Sequence, residues 1–263
     1  NRKFSIRTFD PYDYMIREWT PSQTHNISLS GKSGKTTFNV GLGYLDQNGL
    51  MKVAKHDDFR RWNGSIRLST EINKYITARA GANYSKRNKR YAYATNSTTA
   101  DPWLYLYRWD STYPMGYDEN GNEMRSPASE VHQANTANKE DNYLSFNVGA
   151  TLKITKDWKF DIDYTYAGED QIWKKNGTKY TAADTWTAPV KRLDGNGNQI
   201  YVNNKGEVVS AGSQGAMPAY DLNYRQYTAD GGNPDHIRRQ VTNAKRHTLN
   251  ITTDYNWQIN KQN

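Results

Sequence analysis

The chain has 263 residues, a formal net charge of +8 and no cysteine, so disulfide bonds and thiolate metal sites are excluded. Its mean hydropathy of −1.00 is low for a globular protein, yet 13% of its residues are aromatic, whereas disordered chains are poor in aromatic residues. Strands with one apolar face explain both values, because half of each strand then stays in contact with water.

Seven segments alternate apolar residues with small, polar or charged ones, a period that places every second side chain on one face of a β-strand. In chain order, the predicted strands cover residues 24–31, 36–46, 61–72, 75–87, 142–155, 158–171 and 246–257. Tight polar turns follow the first, third and fifth strands, whereas long loops over residues 88–141 and 172–244 follow the fourth and sixth. Short turns that alternate with long loops are typical of outer-membrane β-barrels. The predicted fold class is therefore all-β, as part of a transmembrane antiparallel β-barrel.

The two faces of these strands differ in chemistry. The face predicted to contact lipid carries Phe38, Val40, Leu42, Ile66, Leu68, Phe146, Val148, Phe160, Ile162, Leu249 and Ile251. The face predicted to line a water-filled lumen carries Asn39, Arg67, Glu71, Arg79, Asn83, Asn147, Asp161 and Asp163. Tyr and Trp at both ends of the apolar stripes fit girdles at the two head-group levels. An Arg on the lipid face would cost about 2–4 kcal/mol at the bilayer midplane.

A soluble β-sandwich is the main alternative fold, because its strands alternate in the same way. Sandwich loops, however, do not sort into tight turns at one end and very long loops at the other. The sequence has no run of roughly 18–20 apolar residues, the length that a membrane-spanning helix requires. It shows no signal peptide and ends directly after a strand, so we expect an internal piece of a longer protein.

Other classes of site find little support in the sequence. The basic residues are spread over turns, strand ends and loops, which favours contact with anionic lipid head groups over nucleic-acid binding. Two Asp-rich segments, starting at Asp118 and Asp194, have the spacing of a calcium loop but lack its Gly at position six and Glu at position twelve. They are better explained as tight hairpin turns. No catalytic motif or cofactor-binding loop is present, so we predict that the chain is not an enzyme.

One loop segment is unusually aromatic. It contains Trp103, Tyr105, Tyr107, Arg108 and Trp109. Aromatic rings beside an Arg can stack on sugar rings, so these residues are candidates for contact with a substrate or with a lid protein. The alternative is that the rings pack the long loop against its own neighbours, because an ordered loop of this length must bury something.

Residues 24–31 and 37–49, with the turn between them, resemble the SusC/RagA-type TonB-dependent transporters of Bacteroidetes. The segments Phe59-Arg60-Arg61-Trp62-Asn63 and Asp101-Pro102-Trp103 fit the same family. The resemblance is most specific over residues 22–109. It implies a barrel of about 22 strands with a plugged lumen, of which this chain would hold seven strands and no plug domain.

The resemblance also implies a function, which is uptake across the outer membrane. Transporters of this family import oligosaccharides or, in some members, peptides. A SusD-like surface lipoprotein closes over the mouth as a lid, and TonB acts on the plug. We therefore expect an outer-membrane importer of nutrients, with glycans as the first expectation for the cargo. The alternatives are a soluble carbohydrate-binding β module and a barrel that anchors an adhesion or assembly protein.

Overall fold

A computed structural model of the protein describes residues 8–93, 103, 106, 108–228 and 237–257. These residues are mostly β-structure, with short helices α1 (Pro11–Met15) and α2 (Pro127–Gln133) in the loops, and residues 103, 106 and 108 are helical as well. Across these residues, no helix is both long and apolar enough to cross a membrane.

Seven long strands of the described residues form one antiparallel sheet, which we call the main sheet. Their bounds, in spatial order, are β1 (Ser22–Ser33), β2 (Thr36–Asn48), β3 (Asp58–Glu71), β4 (Ile76–Ala92), β5 (Thr136–Lys153), β6 (Trp158–Asn176) and β14 (Ile237–Tyr255). From β1 to β6, each strand pairs with the next one along the chain. The last pair is β6 with β14, and the smaller strands β7 to β13 lie between these two in sequence. The all-β antiparallel architecture predicted from the sequence is confirmed.

The strands are longer than the sequence predicted, mainly at the end that carries the long loops. β5 begins at Thr136 instead of residue 142, and β14 begins at Ile237 instead of residue 246. The prediction followed the apolar alternation, which stops where both faces become polar. Backbone pairing does not need that alternation and continues past it. We call the end of the main sheet that carries the long loops the loop end, and the end that carries the tight turns the turn end.

The pairing register of the main sheet is uninterrupted. From β1 to β14 every strand pair keeps one register along its whole length, so the described ladder contains no β-bulge. A single register line therefore joins Thr36 to Thr70, Ala78, Ala150 and Ile162. Because a one-residue slip would turn every side chain to the other face, this continuity keeps each face of the sheet chemically uniform.

The tight turns descend in steps relative to that register line. The β1–β2 turn is centred between residues 34 and 35, the β3–β4 turn at residue 74 and the β5–β6 turn at residue 156. These centres lie roughly 1.5, 4 and 6 residues beyond the line. Each pair of strands is thus displaced by about two residues relative to the previous pair. A sheet that closes into a barrel has such a stagger, because its strands tilt relative to the barrel axis.

The second long loop folds into small sheets at the loop end. They comprise β7 (Lys179–Asp184) with β13 (Asn223–Thr228), β8 (Val190–Lys191) with β12 (Tyr220–Asp221), and β9 (Tyr201–Val202) with β10 (Val208–Val209) and β11 (Met217–Pro218). The turns rich in Asn and Gly that the sequence predicted as hairpins are hairpins in the structure.

The hydrophobic core lies in the loops and not in the main sheet. Its buried members are Met15, Ile16, Met51, Trp109, Met115, Ala128, Val131 and Ala134. A smaller cluster contains Tyr180 and Ala182, with Tyr227 packed on it. Of the apolar residues that are buried in the described part of the chain, only Ala137 belongs to the main sheet. The loops thus form a packed layer, whereas the sheet leaves its apolar side chains uncovered.

Candidate functional site

One face of the main sheet is apolar and uncovered. Leu42 is 60% exposed, Val148 54% and Leu249 62%. The register places all eleven residues predicted to contact lipid on this face, and eight of them are exposed: Leu42, Ile66, Leu68, Phe146, Val148, Ile162, Leu249 and Ile251. The other three, Phe38, Val40 and Phe160, are half-buried against their neighbours. Exposed apolar area of this extent marks a surface that another apolar medium or molecule covers.

Aromatic residues border this apolar face at both ends. Toward the loops, the rings of Tyr44 and Trp62 contact each other at a tilt, with centroids 4.1 Å apart. The register line through Tyr44 reaches β6 at Asp170, but the aromatic border on β6 is Tyr166, four residues nearer the turn end. Tyr84 on β4 lies in between, two residues below the line. The border therefore slants across the rungs in the same direction as the descending turns.

The opposite face, which we call the polar face, carries the eight residues predicted to line a lumen. Three of them, Arg79, Asp161 and Asp163, form one cluster. Asn39 donates to the Ser30 hydroxyl at 2.6 Å, and Asn83 donates to the Ser145 hydroxyl at 3.3 Å. Asn147 lies against Gly81, and the register places Arg67 and Glu71 on the same face of β3. Whether this face contacts water in the whole protein stays a prediction.

The Arg79 cluster ties β4 to β6 across the intervening strand. The Arg79 guanidinium donates to both oxygens of Asp163, at 3.1 and 2.9 Å, and to Asp161 at 3.1 Å. It also donates to the Thr151 hydroxyl of β5, which itself donates to Asp161 at 2.5 Å. One terminal nitrogen of Arg79 thus binds Asp163 and the other binds Asp161, and hydrogen bonds between charged groups are stronger than those between neutral ones.

Gly149 is what lets Arg79 reach over β5. It lies between Arg79 and Asp163 on one register line, and the Asp163 carboxylate occupies the space above it. A Cβ at residue 149 would collide with that carboxylate and lie 2.8 Å from the carbonyl oxygen of Ile162. The absence of a side chain at this position is therefore a condition for the cluster.

The polar face also contains a trough of about 510 Å³ toward the loop end. Six of its lining side chains are amides or hydroxyls, namely Asn26, Ser28, Asn63, Ser65, Asn83 and Ser85, and Ile27, Leu42, Tyr84 and Tyr143 line it as well. Glycines at positions 41 and 43 keep the floor low, because a Cβ there would lie 2.9 Å from Ser65 Oγ and 2.8 Å from Asn26 Oδ1. The trough offers hydrogen-bond donors and acceptors side by side, a lining that suits hydroxylated solutes.

In the loop layer, Asp184 joins two loops through a cluster that the sequence did not reveal. Its buried carboxylate accepts from Arg125 and Arg225 at 3.2 Å and from the Tyr227 hydroxyl at 2.6 Å. Burial alone would raise the pKa of Asp184, but the hydrogen bonds from Tyr227 and from the Trp186 amide, with the Arg125 charge, lower it overall. No short spacing links residues 125, 184 and 227, so only the fold brings them together.

Glu130 is the one strongly perturbed acid of this layer in the part of the chain that the structure describes. Burial raises its pKa from 4.5 to about 8, against the opposing charge of Arg125. Its Oε1 has no hydrogen-bond partner among the described residues. Neighbouring Tyr180 is also buried, which raises its pKa to about 12. Burial thus favours the protonated form of the Glu130 side chain in the folded layer.

In the aromatic loop segment that the sequence singled out, one residue is buried in the loop core and two others are exposed. Trp109 is only 8% exposed and contacts the rings of Tyr113 and Trp186, each at a centroid distance of 5.4 Å. Trp109 thus fills the loop core, as the packing alternative predicts, and its ring is not open to a cargo. Trp103 is 50% exposed and Arg108 is exposed. Tyr105 and Tyr107 lie outside the described residues.

The Asp-rich segments that resemble calcium loops are closed turns. Asp118 accepts the amides of Asn120 and Asn122 at 2.8 and 2.9 Å, and Asp194 accepts those of Asn196 and Asn198 at 2.9 and 2.8 Å. The glycine of each turn, Gly121 or Gly197, has a φ of +80 or +85°, which glycine adopts without strain. The backbone amides thus occupy the Asp oxygens. Among the described residues no group of three or more candidate ligands forms a metal site.

The fold and the two faces of the main sheet together define a class of structure. It is a staggered antiparallel β-wall with one apolar face, one polar face and a folded layer of loops.

Comparison with family profiles gives no match, and comparison with curated protein sequences gives none either. Solved structures that are similar to the chain include the following two. One is the RagAB peptide importer in the "closed-closed" state, with 12% identity, a TM-score of 0.46 and 95% of this chain covered. The other is the RagAB peptide transporter, with 14% identity, a TM-score of 0.49 and 94% of this chain covered.

This chain spans about a third of each solved chain, 32% and 31% respectively.

Replacing Gly149 by Ala should break the Arg79 cluster. The new methyl group displaces the Asp163 carboxylate, so we expect the free energy of unfolding of the whole protein to fall by about 1–3 kcal/mol. Urea unfolding in detergent measures it. Gly64→Ala is the matched control, because the nearest heavy atom to a Cβ there is Leu42 Cδ2 at 3.7 Å. Equal losses for both variants would show that the cluster contributes nothing.

Stability of the loop layer should depend on the ionisation of Glu130. Its folded-state pKa of about 8 lies above the ordinary value of 4.5, so its favourable contribution is complete below about pH 4.5 and is lost as the pH rises through 8. We expect amide exchange in α2, corrected for the intrinsic effect of pH, to accelerate between pH 6 and 9, a pH range chosen for the assay around that transition. Glu130→Gln should remove this acceleration, whereas Glu207→Gln in an exposed turn should retain it. Persistence of the acceleration in Glu130→Gln would contradict the assignment.

Proposed function

We propose that this chain is part of the wall of an outer-membrane transporter that imports oligosaccharides. The observation that carries the proposal is the slant of the exposed apolar face. Between β2 and β6 both its aromatic border and the turns descend by about four residues across four strand spacings. At about 3.4 Å per residue and about 4.8 Å per strand, this corresponds to a tilt of about 35°. Strands of outer-membrane barrels tilt by about 35–45°.

The height of the apolar band supports the same proposal. Eight residues separate Tyr44 from Thr36 on β2, and eight separate Tyr166 from Trp158 on β6. At a tilt of about 35° these segments span about 22 Å along the membrane normal, close to the apolar band of about 25 Å in such barrels. A soluble carbohydrate-binding module would have to leave this entire band in water, at a large cost in free energy.

The step from a barrel wall to an importer rests on the polar face, the loops and the sequence motifs. The polar face offers a hydrogen-bonding trough instead of a sealed core, and the loops form a folded layer at one end of the wall. The segments over residues 22–109 resemble SusC/RagA-type transporters. We infer that the turn end faces the periplasm and that the loop layer faces the outside, where it meets a SusD-like lipoprotein. TonB would act through a plug domain elsewhere in the protein.

Membrane depth provides the first test. In the full-length protein in bilayers, nitroxide labels at Tyr44 and Tyr166 should lie at equal depth, although their register differs by four residues. A label at Asp170, the register partner of Tyr44, should lie several ångströms higher, in water. A label at Val40 should be accessible to oxygen and one at Asn39 to a polar reagent. Equal depths for residues 44 and 170 would refute the tilt.

Growth provides the test of import. A strain that lacks the whole gene should grow normally on glucose and fail on one oligosaccharide, because only the larger solute needs a dedicated transporter. The restored gene should recover growth, and the purified protein should retain a surface lipoprotein. A barrel that only anchors an adhesion or assembly protein would leave growth unchanged on every carbon source, and that result would eliminate the importer.

A further inference from the structure

The loop end of the polar face carries a group of basic side chains. We call them the mouth cations: Arg61, Arg87, Lys89, Lys139, Lys175 and Arg238. The register places all six on the polar face, above the trough. Arg61 is directly opposite Arg87, and Lys89 is directly opposite Lys139. Like charges in directly opposed positions destabilise a sheet, so this arrangement opposes folding unless an anion compensates it.

Several other basic residues of the main sheet are paired with acids. On the apolar side of the same strands, Arg60 pairs with Asp46 at 3.3 Å, Lys86 with Glu140 at 3.2 Å and Arg90 with Asp58 at 2.8 Å. Lower on the polar face, Arg79 is held by two carboxylates. By contrast, none of the mouth cations forms an ion pair with a carboxylate of residues 8–93, 108–228 or 237–257.

Two acids share this part of the polar face, Asp141 and Glu169, and neither pairs with a mouth cation. Asp141 is the register partner of Arg87 but makes no ion pair with it, and Glu169 lies opposite Tyr143. The local balance is six positive groups against two negative ones. A wall of one sign concentrates ligands of the other sign in front of it.

Aromatic rings contact two of these cations, Lys175 and Lys89. The Lys175 ammonium lies 3.7 Å from the centroid of Trp173 and 5.1 Å from that of Tyr93. The Lys89 ammonium lies 5.5 Å from the centroid of Tyr91. Cation–π contacts of this kind orient an ammonium group without neutralising its charge. Lys89 is exposed, so its oriented charge remains available to an anion, whereas Lys175 is buried and only adds to the positive potential of this face.

The mouth cations continue directly into the trough, because Arg87 lines both. A ligand that reaches from one to the other meets cations first, and then the amides and hydroxyls of Asn63, Asn83, Ser65 and Ser85. Side-chain amides and hydroxyls can donate hydrogen bonds to, and accept them from, the hydroxyl groups of a sugar chain.

We propose that the loop end of the polar face selects anionic oligosaccharides, whose carboxylate or sulfate groups contact the mouth cations while their hydroxyl groups contact the trough. This inference rests on the proposed import function and specifies its cargo class.

Binding to the purified full-length protein tests the proposal. Isothermal titration would compare an oligogalacturonate with the same oligomer after methyl esterification, which removes the charge and retains the sugar chain. We expect the acidic form to bind about tenfold or more tightly, a difference of about 1.4 kcal/mol, and the difference to shrink in high salt. Lys89→Gln combined with Lys139→Gln should abolish that preference and leave the binding of the ester unchanged.

A matched control removes the same charge from the other face. Lys174 and Arg239 are directly opposed across β6 and β14 on the apolar side of the sheet. They lie one residue nearer the loops than the register line through Lys89 and Lys139. Lys174→Gln with Arg239→Gln should keep the preference for the acidic oligomer. Heat-dependent migration in detergent gels checks that both double variants fold, and Arg87→Gln provides an independent inner variant.

Three outcomes would overturn the proposal. They are equal affinity for the acid and its ester, equal loss in the inner and outer double variants, and tighter binding of oligoglutamate, which would assign an acidic peptide instead. None of these results alters membrane depth or growth on the oligosaccharide, so they leave the import proposal standing. Failure of the depth and growth tests would remove that proposal whatever the charge preference.

Discussion

The organisation of this protein depends on an uninterrupted backbone register across the main sheet. Because side chains alternate with a period of two and no bulge breaks the described ladder, each strand sorts its residues to the same two faces as its neighbours. One face therefore collects Leu, Ile, Val and Phe, and the other collects Asn, Ser, Gly and charged groups. A single extra residue in any strand would exchange the faces from that point onward. The apolar border, the trough and the charged clusters all exist because that exchange does not occur.

Such a sheet cannot be stabilised in the way that soluble domains are, since its apolar residues do not meet a second layer. Its hydrogen-bond ladder and the Arg79 cluster hold the strands together from the polar side, and Gly149 leaves the room that the cluster needs. The packed apolar residues lie in the loop layer instead, around Met15 and Val131. This division fits an environment in which the medium, and not the chain, covers the apolar face. It also lets the loop layer be folded independently of what touches the wall.

The charged side chains of the main sheet differ in whether they are paired. Arg60, Lys86 and Arg90 on the apolar side of the loop end, and Arg79 on the polar face, have acidic partners. The mouth cations do not, although Asp141 lies on the same face. Repulsion between directly opposed side chains of like charge reduces stability. Proteins keep such destabilising arrangements at functional sites, where a ligand of opposite charge removes the repulsion. The loop layer follows the opposite rule: Asp184 gathers two Arg side chains and a Tyr hydroxyl, which is what a structural tie between loops requires.

The sequence by itself determined the strand order, the chemistry of each face and the positions of the tight turns, because a period of two and a turn of a few residues are local properties. It placed Arg79, Asp161 and Asp163 on one face, but the reach of Arg79 over Gly149 depends on register, which brings together residues more than 80 positions apart. The length of β5 and β14 beyond the apolar alternation, the burial of Trp109 and the convergence of Arg125, Tyr227 and Asp184 were decided only by the tertiary structure. Contacts between distant segments leave no periodic trace in the chain, since each partner satisfies the local rules equally well without the other.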